Sequence, residues 1–109
     1  MEIRFFRTAR GDEPVLDYIV SLRVKDRARV EGCLQVLAKI GRLDMPHGKK
    51  LVGQRGLFEI RSGRHRILYA FHEGEAVLLT AFLKKDQKTP KEEIDLALRR
   101  LTNYVSLGG

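Results

Sequence analysis

Residues 57–85 read LFEIRSGRHRILYAFHEGEAVLLTAFLKK, and the fold follows from how this stretch divides. Leu57-Phe58-Glu59-Ile60-Arg61 alternates apolar and polar side chains, the pattern of a strand with one buried face. Ser62-Gly63-Arg64 supplies a turn, and Arg66-Ile67-Leu68-Tyr69-Ala70-Phe71 resumes as a second strand, so the two form a hairpin. His72-Glu73-Gly74-Glu75 makes another turn. Ala76 to Leu83 is then almost continuously apolar, as expected of a strand buried on both faces. The stretch predicts a three-stranded antiparallel meander.

Downstream, Thr89-Pro90-Lys91-Glu92 reads as a helix start, with Thr89 as N-cap, Pro90 at the first helical position and Glu92 completing a capping box. Ile94, Ala97, Leu98, Leu101, Tyr104 and Val105 follow three or four apart on one docking face. Upstream, Ile3, Phe5 and Phe6 alternate with Glu2, Arg4 and Arg7 as an opening strand. Gly11-Asp12 with Pro14 starts a short helix, and a longer one is expected from Val24 to Ile40, ended by Gly41. Asp44 to Gly56, rich in glycine and basic residues, reads as an ordered basic loop. The order strand, helix, helix, three strands, helix gives an α+β class. Its mostly antiparallel sheet has about four strands, with the helices packed on one face and the other face partly open. Residues 1–109 are read as a single domain.

The chain has 109 residues, is 43% hydrophobic and 32% charged, and carries a formal net charge of +7. A core of one-domain size is expected, together with an anionic partner: nucleic acid, an anionic membrane surface or an acidic protein. Cys33 is the single cysteine, so no internal disulfide is available. The first residues read as a strand and no apolar run approaches the roughly 20 residues that span a bilayer, so the expected location is cytoplasmic, with no membrane partner.

Strand parity places Arg61 off the core side of its strand and Arg66 on the matching side of the next, so the two share a face across the turn. Lys85 shares parity with Ala81 at the end of the third strand, a relation that a one-residue bulge would reverse. Converging guanidinium and ammonium groups suit phosphodiesters. The plainer reading is that these groups solvate strand ends. Against it, basic residues recur from Lys49 to Lys91 with few acids between them, whereas a solvating surface intersperses both signs. His47, His65 and His72 lack metal-ligand spacing, Cys33 fits a buried helix stripe, and Tyr69 carries core parity; no metal site or cofactor is expected.

Leu57-Phe58-Glu59-Ile60-Arg61, Arg66-Ile67-Leu68-Tyr69, and Phe82-Leu83-Lys84-Lys85 with Lys88-Thr89-Pro90 resemble the phage-derived Gp49-like/HigB branch of the RelE/ParE toxin superfamily. The resemblance implies a RelE-like fold and the toxin of a type II toxin-antitoxin system. It would be held inactive by a helix-turn-helix, HigA-like antitoxin and would cleave mRNA on the ribosome by 2′-hydroxyl attack, without a metal. Carried over by motif, Arg66 matches the catalytic arginine before a similar apolar-tyrosine segment, Arg61 a basic residue on the preceding strand, and Lys85 the basic residue closing the last strand. Glu59 stands where RelE has a lysine and no tyrosine follows Lys85, which leaves the general base open between Lys85 and Glu59. Lys49, Lys50, Arg55, Arg64, Lys84, Lys88 and Lys91 are expected to anchor RNA and ribosome. Two alternatives stand beside this: a ParE-like DNA gyrase inhibitor, and a catalytically inert basic regulator that binds nucleic acid or an antitoxin.

Overall fold

The computed structural model describes residues 1–53 and 56–107; Arg55, one of the expected RNA anchors, lies outside them. The elements in chain order are β1 (Glu2–Phe5), α1 (Pro14–Val20), α2 (Val24–Ile40), β2 (Gly48–Lys50), β3 (Phe58–Ser62), β4 (His65–His72), β5 (Glu75–Leu83) and α3 (Lys91–Ser106). The expected meander is β3-β4-β5. Its second turn is a two-residue loop whose Glu73 and Gly74 both have positive φ, 49° and 78°, the twist that joins neighbouring antiparallel strands closely.

The sheet has five strands in the order β1-β5-β4-β3-β2, one more than expected. Strand β1 runs parallel to β5 at one edge, and the other pairings are antiparallel. The extra strand, β2, comes from the segment read as a basic loop. It is three residues long and has no apolar alternation, so the periodicity that reveals strands is absent from it. Gly48 opens it because a Cβ there would overlap the Leu43 carbonyl.

The helices do not share one face. Helices α1 and α2 bury Val15, Ile19, Val30, Cys33 and Leu37 against Ile60, Ile67, Tyr69, Ala76 and Leu78. Helix α3 lies on the opposite side, its Ala97, Ile94, Leu98 and Leu101 packed with Leu57, Leu68, Ala70, Val77 and Leu79. The physical reason is the middle of β4 and β5, where apolar residues point to both faces and each face needs a cover. The result is a three-layer α+β arrangement with two cores separated by the sheet.

The ladder between β4 and β5 carries a bulge. Leu68 pairs with Thr80 and Tyr69 with Leu78, so Leu79 is an extra residue on β5. Its carbonyl accepts a 2.7 Å hydrogen bond from Arg100 Nη1 of α3, whose guanidinium also lies 5.3 Å from the Phe6 ring centre. Burial lowers the pKa of Arg100, and Glu93 opposes that shift.

Candidate functional site

The register of the sheet gathers the charges. Arg61 lies directly opposite Arg66, Glu59 opposite Leu68 on one side and Lys49 on the other, and Arg66 opposite Phe82. All of these positions face the α3 side of the sheet. There they line a cleft of about 340 Å³ beside the first turn of α3, whose Ile94 forms part of the wall. Leu51, Val52 and Phe82 give the cleft an apolar portion, and Lys84, Lys88 and Asp86 contribute charge from the end of β5 and the loop after it.

Glu59 is the organising group. It is a carboxylate only 2% exposed, which is costly unless its charge is matched. Arg61 Nε donates to Oε1 at 3.0 Å, the Thr89 hydroxyl donates to Oε2 at 2.8 Å, and Arg66 Nε lies 3.8 Å from Oε1. Arg66 is itself 7% exposed, and its Nη1 donates to the carbonyls of Gly63 at 2.7 Å and His65 at 3.0 Å. Burial lowers the pKa of this guanidinium, Glu59 opposes the shift, and Arg61 adds to it. A guanidinium remains a cation under such a shift. Both carboxylate oxygens are thus engaged, Oε1 by the arginines and Oε2 by Thr89.

The bulge decides which lysine joins the arginines. An unbroken ladder would set Ala81 opposite Arg66 and put Lys85 on the arginine face. With Leu79 as the extra residue, Phe82 takes that position, and Lys84 lines the cleft instead. Lys85 is exposed in a shallow neighbouring depression with Arg64, Lys84 and Arg66. Arg64 pins the β3-β4 turn to the end of β5, its Nη2 donating to the Lys84 carbonyl at 3.0 Å.

The remaining expected cations divide. Lys49 and Lys88 line the cleft. Lys50 pairs with Phe58, a residue packed against the α1-α2 core, and so turns to the other face. Lys91, at the start of α3, lies 3.6 Å from Asp95 and is otherwise open to solvent. His65 is also on the far face, with its Nδ1 2.8 Å from the Tyr18 hydroxyl and its Nε2 3.6 Å from Asp26, which fits a structural tie between β4 and the first two helices. Tyr69 is 1% exposed and stacked on Phe58, and burial pushes its phenol up to about 12. Among the described residues, no three His, Cys, Asp or Glu side chains converge as metal ligands.

Sequence reasoning missed the placement of Thr89. The capping box it was expected to open does not form: α3 begins at Lys91, Pro90 occupies the cap position, and no side chain caps the helix. A Thr hydroxyl at an N-cap contributes about 1 kcal/mol, and here it is spent on Glu59 instead. The signal available was the closeness of Thr89 to Lys88 and Lys84 in sequence, and nothing in it distinguished a cap from a site residue.

Several comparisons bear on this arrangement. No protein with a curated description matches the sequence. The fold is similar to that of a chain in the crystal structure of the RelB-RelE antitoxin-toxin complex from Methanococcus jannaschii, with a TM-score of 0.56 and 14% sequence identity over 76% of this chain and 89% of that one. At that identity the likeness is one of fold. Residues 17–102 match the family described as phage-derived protein Gp49-like (DUF891), a span that takes in β2 to β5, the cleft and most of α3. The chain therefore belongs to the phage-derived Gp49-like family, a family of the RelE/HigB toxin type.

Proposed function

We propose that the protein is the toxin of a type II toxin-antitoxin pair and acts as a ribosome-dependent mRNA endonuclease. The observation that carries this reading is the cleft in which Arg61 and Arg66, cross-strand partners, are held over the buried Glu59 with Lys49, Lys84 and Lys88 around them. Two guanidinium groups so placed suit one phosphate, whose oxygens accept paired hydrogen bonds. In the proposed reaction the 2′-hydroxyl of the preceding ribose gives its proton to water as its oxygen attacks phosphorus, and the bond to the 5′-oxygen breaks as that oxygen takes a proton from water. The products are a 2′,3′-cyclic phosphate and a 5′-hydroxyl. Arg61 and Arg66 stabilise charge developing on the phosphate, a contribution of roughly 3 kcal/mol for each well-placed donor.

Lys84 takes the role expected of Lys85, and Lys85 and Arg64 become docking charges beside the cleft. Lys49 and Lys88 contact flanking phosphates and add affinity without specifying sequence. The partner chemistry follows from the same reading: ribosome and mRNA as targets, a cytoplasmic location, and an antitoxin of helix-turn-helix, HigA-like type as inhibitor. The similar fold is that of a chain in an antitoxin-toxin complex, which supports an antitoxin partner.

The test is production of the chain in a translating extract followed by mapping of mRNA 5′ ends, with Arg66→Ala alongside. New ends that need ribosomes and vanish in the variant are expected. Intact mRNA refutes the endonuclease reading. If replication then stops, the gyrase alternative takes its place, and if neither process responds, the inert regulator does.

A further inference from the structure

Thr89 departs from the role its sequence position suggests. It sits directly before Pro90, where a hydroxyl would cap α3, yet the hydroxyl donates to Glu59 Oε2 at 2.8 Å and leaves the helix without a side-chain cap. A local preference given up in this way points to a demand elsewhere. Arg61 and Arg66 are direct cross-strand partners, a position in which like charges repel. One oxygen, Glu59 Oε1, faces both cations, at 3.0 Å from Arg61 Nε and 3.8 Å from Arg66 Nε. A carboxylate turns easily about its last bond; a half-turn only exchanges its two equivalent oxygens, but a quarter-turn would take both out of line with the arginines. Among the described residues, Thr89 is the hydrogen-bond donor that holds the other oxygen.

We propose that Thr89 is a positioning residue for the arginine pair: by fixing Glu59 Oε2 it aims Oε1 between Arg61 and Arg66 and presents both guanidinium groups to one phosphate. The functional consequence rests on the endonuclease reading above; the geometry does not. The loop after β5 thereby does two jobs, lining the cleft with Lys88 and orienting its arginines through Thr89.

The full chain tests this by nitrogen-15 NMR of the arginine Nε–Hε groups, with mRNA cleavage measured in parallel on Thr89→Val, which keeps the shape, and Thr89→Ser, which keeps the hydroxyl. In Thr89→Val the Arg61 Nε–Hε should exchange with water about 10-fold faster, and cleavage should fall about 10- to 100-fold, the range for a lost supporting partner. Thr89→Ser should restore both to within about 3-fold of the wild type, since its hydroxyl can make the same bond. A serine variant as impaired as the valine variant would mean that the methyl group matters and overturns the proposal. So would valine-variant arginine signals identical to those of the wild type. In the wild type the Thr89 hydroxyl proton should itself exchange slowly enough to be seen, and free exchange overturns the proposal even if neither variant folds. A wild type that cuts no RNA, with the arginine signals responding as expected, refutes the endonuclease reading and leaves the positioning role standing.

Discussion

Consider the substitution Glu59→Gln, which keeps the shape of the side chain and removes its charge. In the wild type Glu59 is 2% exposed and serves two arginines, one of which, Arg66, is 7% exposed. Removing one partner of a fully buried ion pair costs about 3–5 kcal/mol, because the other charge is left uncompensated. Two features reduce that figure here. Arg66 keeps its bonds to the Gly63 and His65 carbonyls, and the Arg61 side chain is 26% exposed and can turn toward water. The expected loss is about 2–3 kcal/mol, which for a domain of this size lowers Tm by about 10–15 °C. Thermal and urea unfolding followed by circular dichroism measure it, with mRNA cleavage recorded on the same samples below the transition. In an Arg61→Ala background the penalty should shrink by about 1 kcal/mol, since the two cations no longer repel across the strands. The reasoning fails if Glu59→Gln is as stable as the wild type and yet abolishes cleavage. That outcome would make Glu59 a proton acceptor and not an anchor.

Three further outcomes are expected. Lys84→Ala should reduce ribosome-dependent cleavage about 10-fold or more, and Lys85→Ala only about 2- to 3-fold with a salt slope lower by about 1; the reverse order would contradict the bulged register. Arg100→Met removes the donor that satisfies the Leu79 carbonyl and should cost about 1–3 kcal/mol in urea unfolding, and unchanged stability would refute that role for the arginine. The Glu75 carboxyl is held below its ordinary value of 4.5 chiefly by the hydrogen bond from Arg4, with a further bond from Tyr104. A lowered folded pKa means the unfolded chain binds protons first. The stability from Glu75 is thus present above the ordinary carboxylate range and lost as pH falls through the lowered value. Glu75→Gln should flatten the decline of the urea midpoint with acid below about pH 4.5, and an unaltered decline would argue against the bridge.

The parts of the fold legible in sequence were those with a strong period. Helix α2 starts at Val24 and ends at Ile40 as its spacing predicts, and the meander from Phe58 to Leu83 follows from alternation and from two turns of the right residue types. The facing of Arg61 and Arg66 was legible too, because a hairpin with a short turn fixes register by geometry. Three features were not. Strand β2 is too short to show a period. The placement of α3 on the second face depends on which side of an all-apolar strand each helix chooses, and Ala76 to Leu83 looks the same from both sides. The exchange of Lys85 for Lys84 turns on the extra residue Leu79, and one leucine among consecutive apolar residues carries no mark of a bulge.

Strand β2 has a consequence for the molecule outside its cleft. Among the described residues its one strand partner is β3. The Asp44 carbonyl accepts from the outer Gly48 N–H at 2.9 Å, but the outer backbone groups of Lys50 face away from β3 and are offered to any other chain. Two of its three residues are Lys49 and Lys50, both exposed, one turned to each face of the sheet. Two copies meeting edge to edge would bring these lysines together in antiparallel or parallel register, and like-charge repulsion would oppose the joining. The lysines proposed above to meet RNA would thus also oppose the edge-to-edge joining of copies. A variant with both lysines neutralised should reveal this as concentration-dependent aggregation, visible by light scattering before any loss of secondary structure.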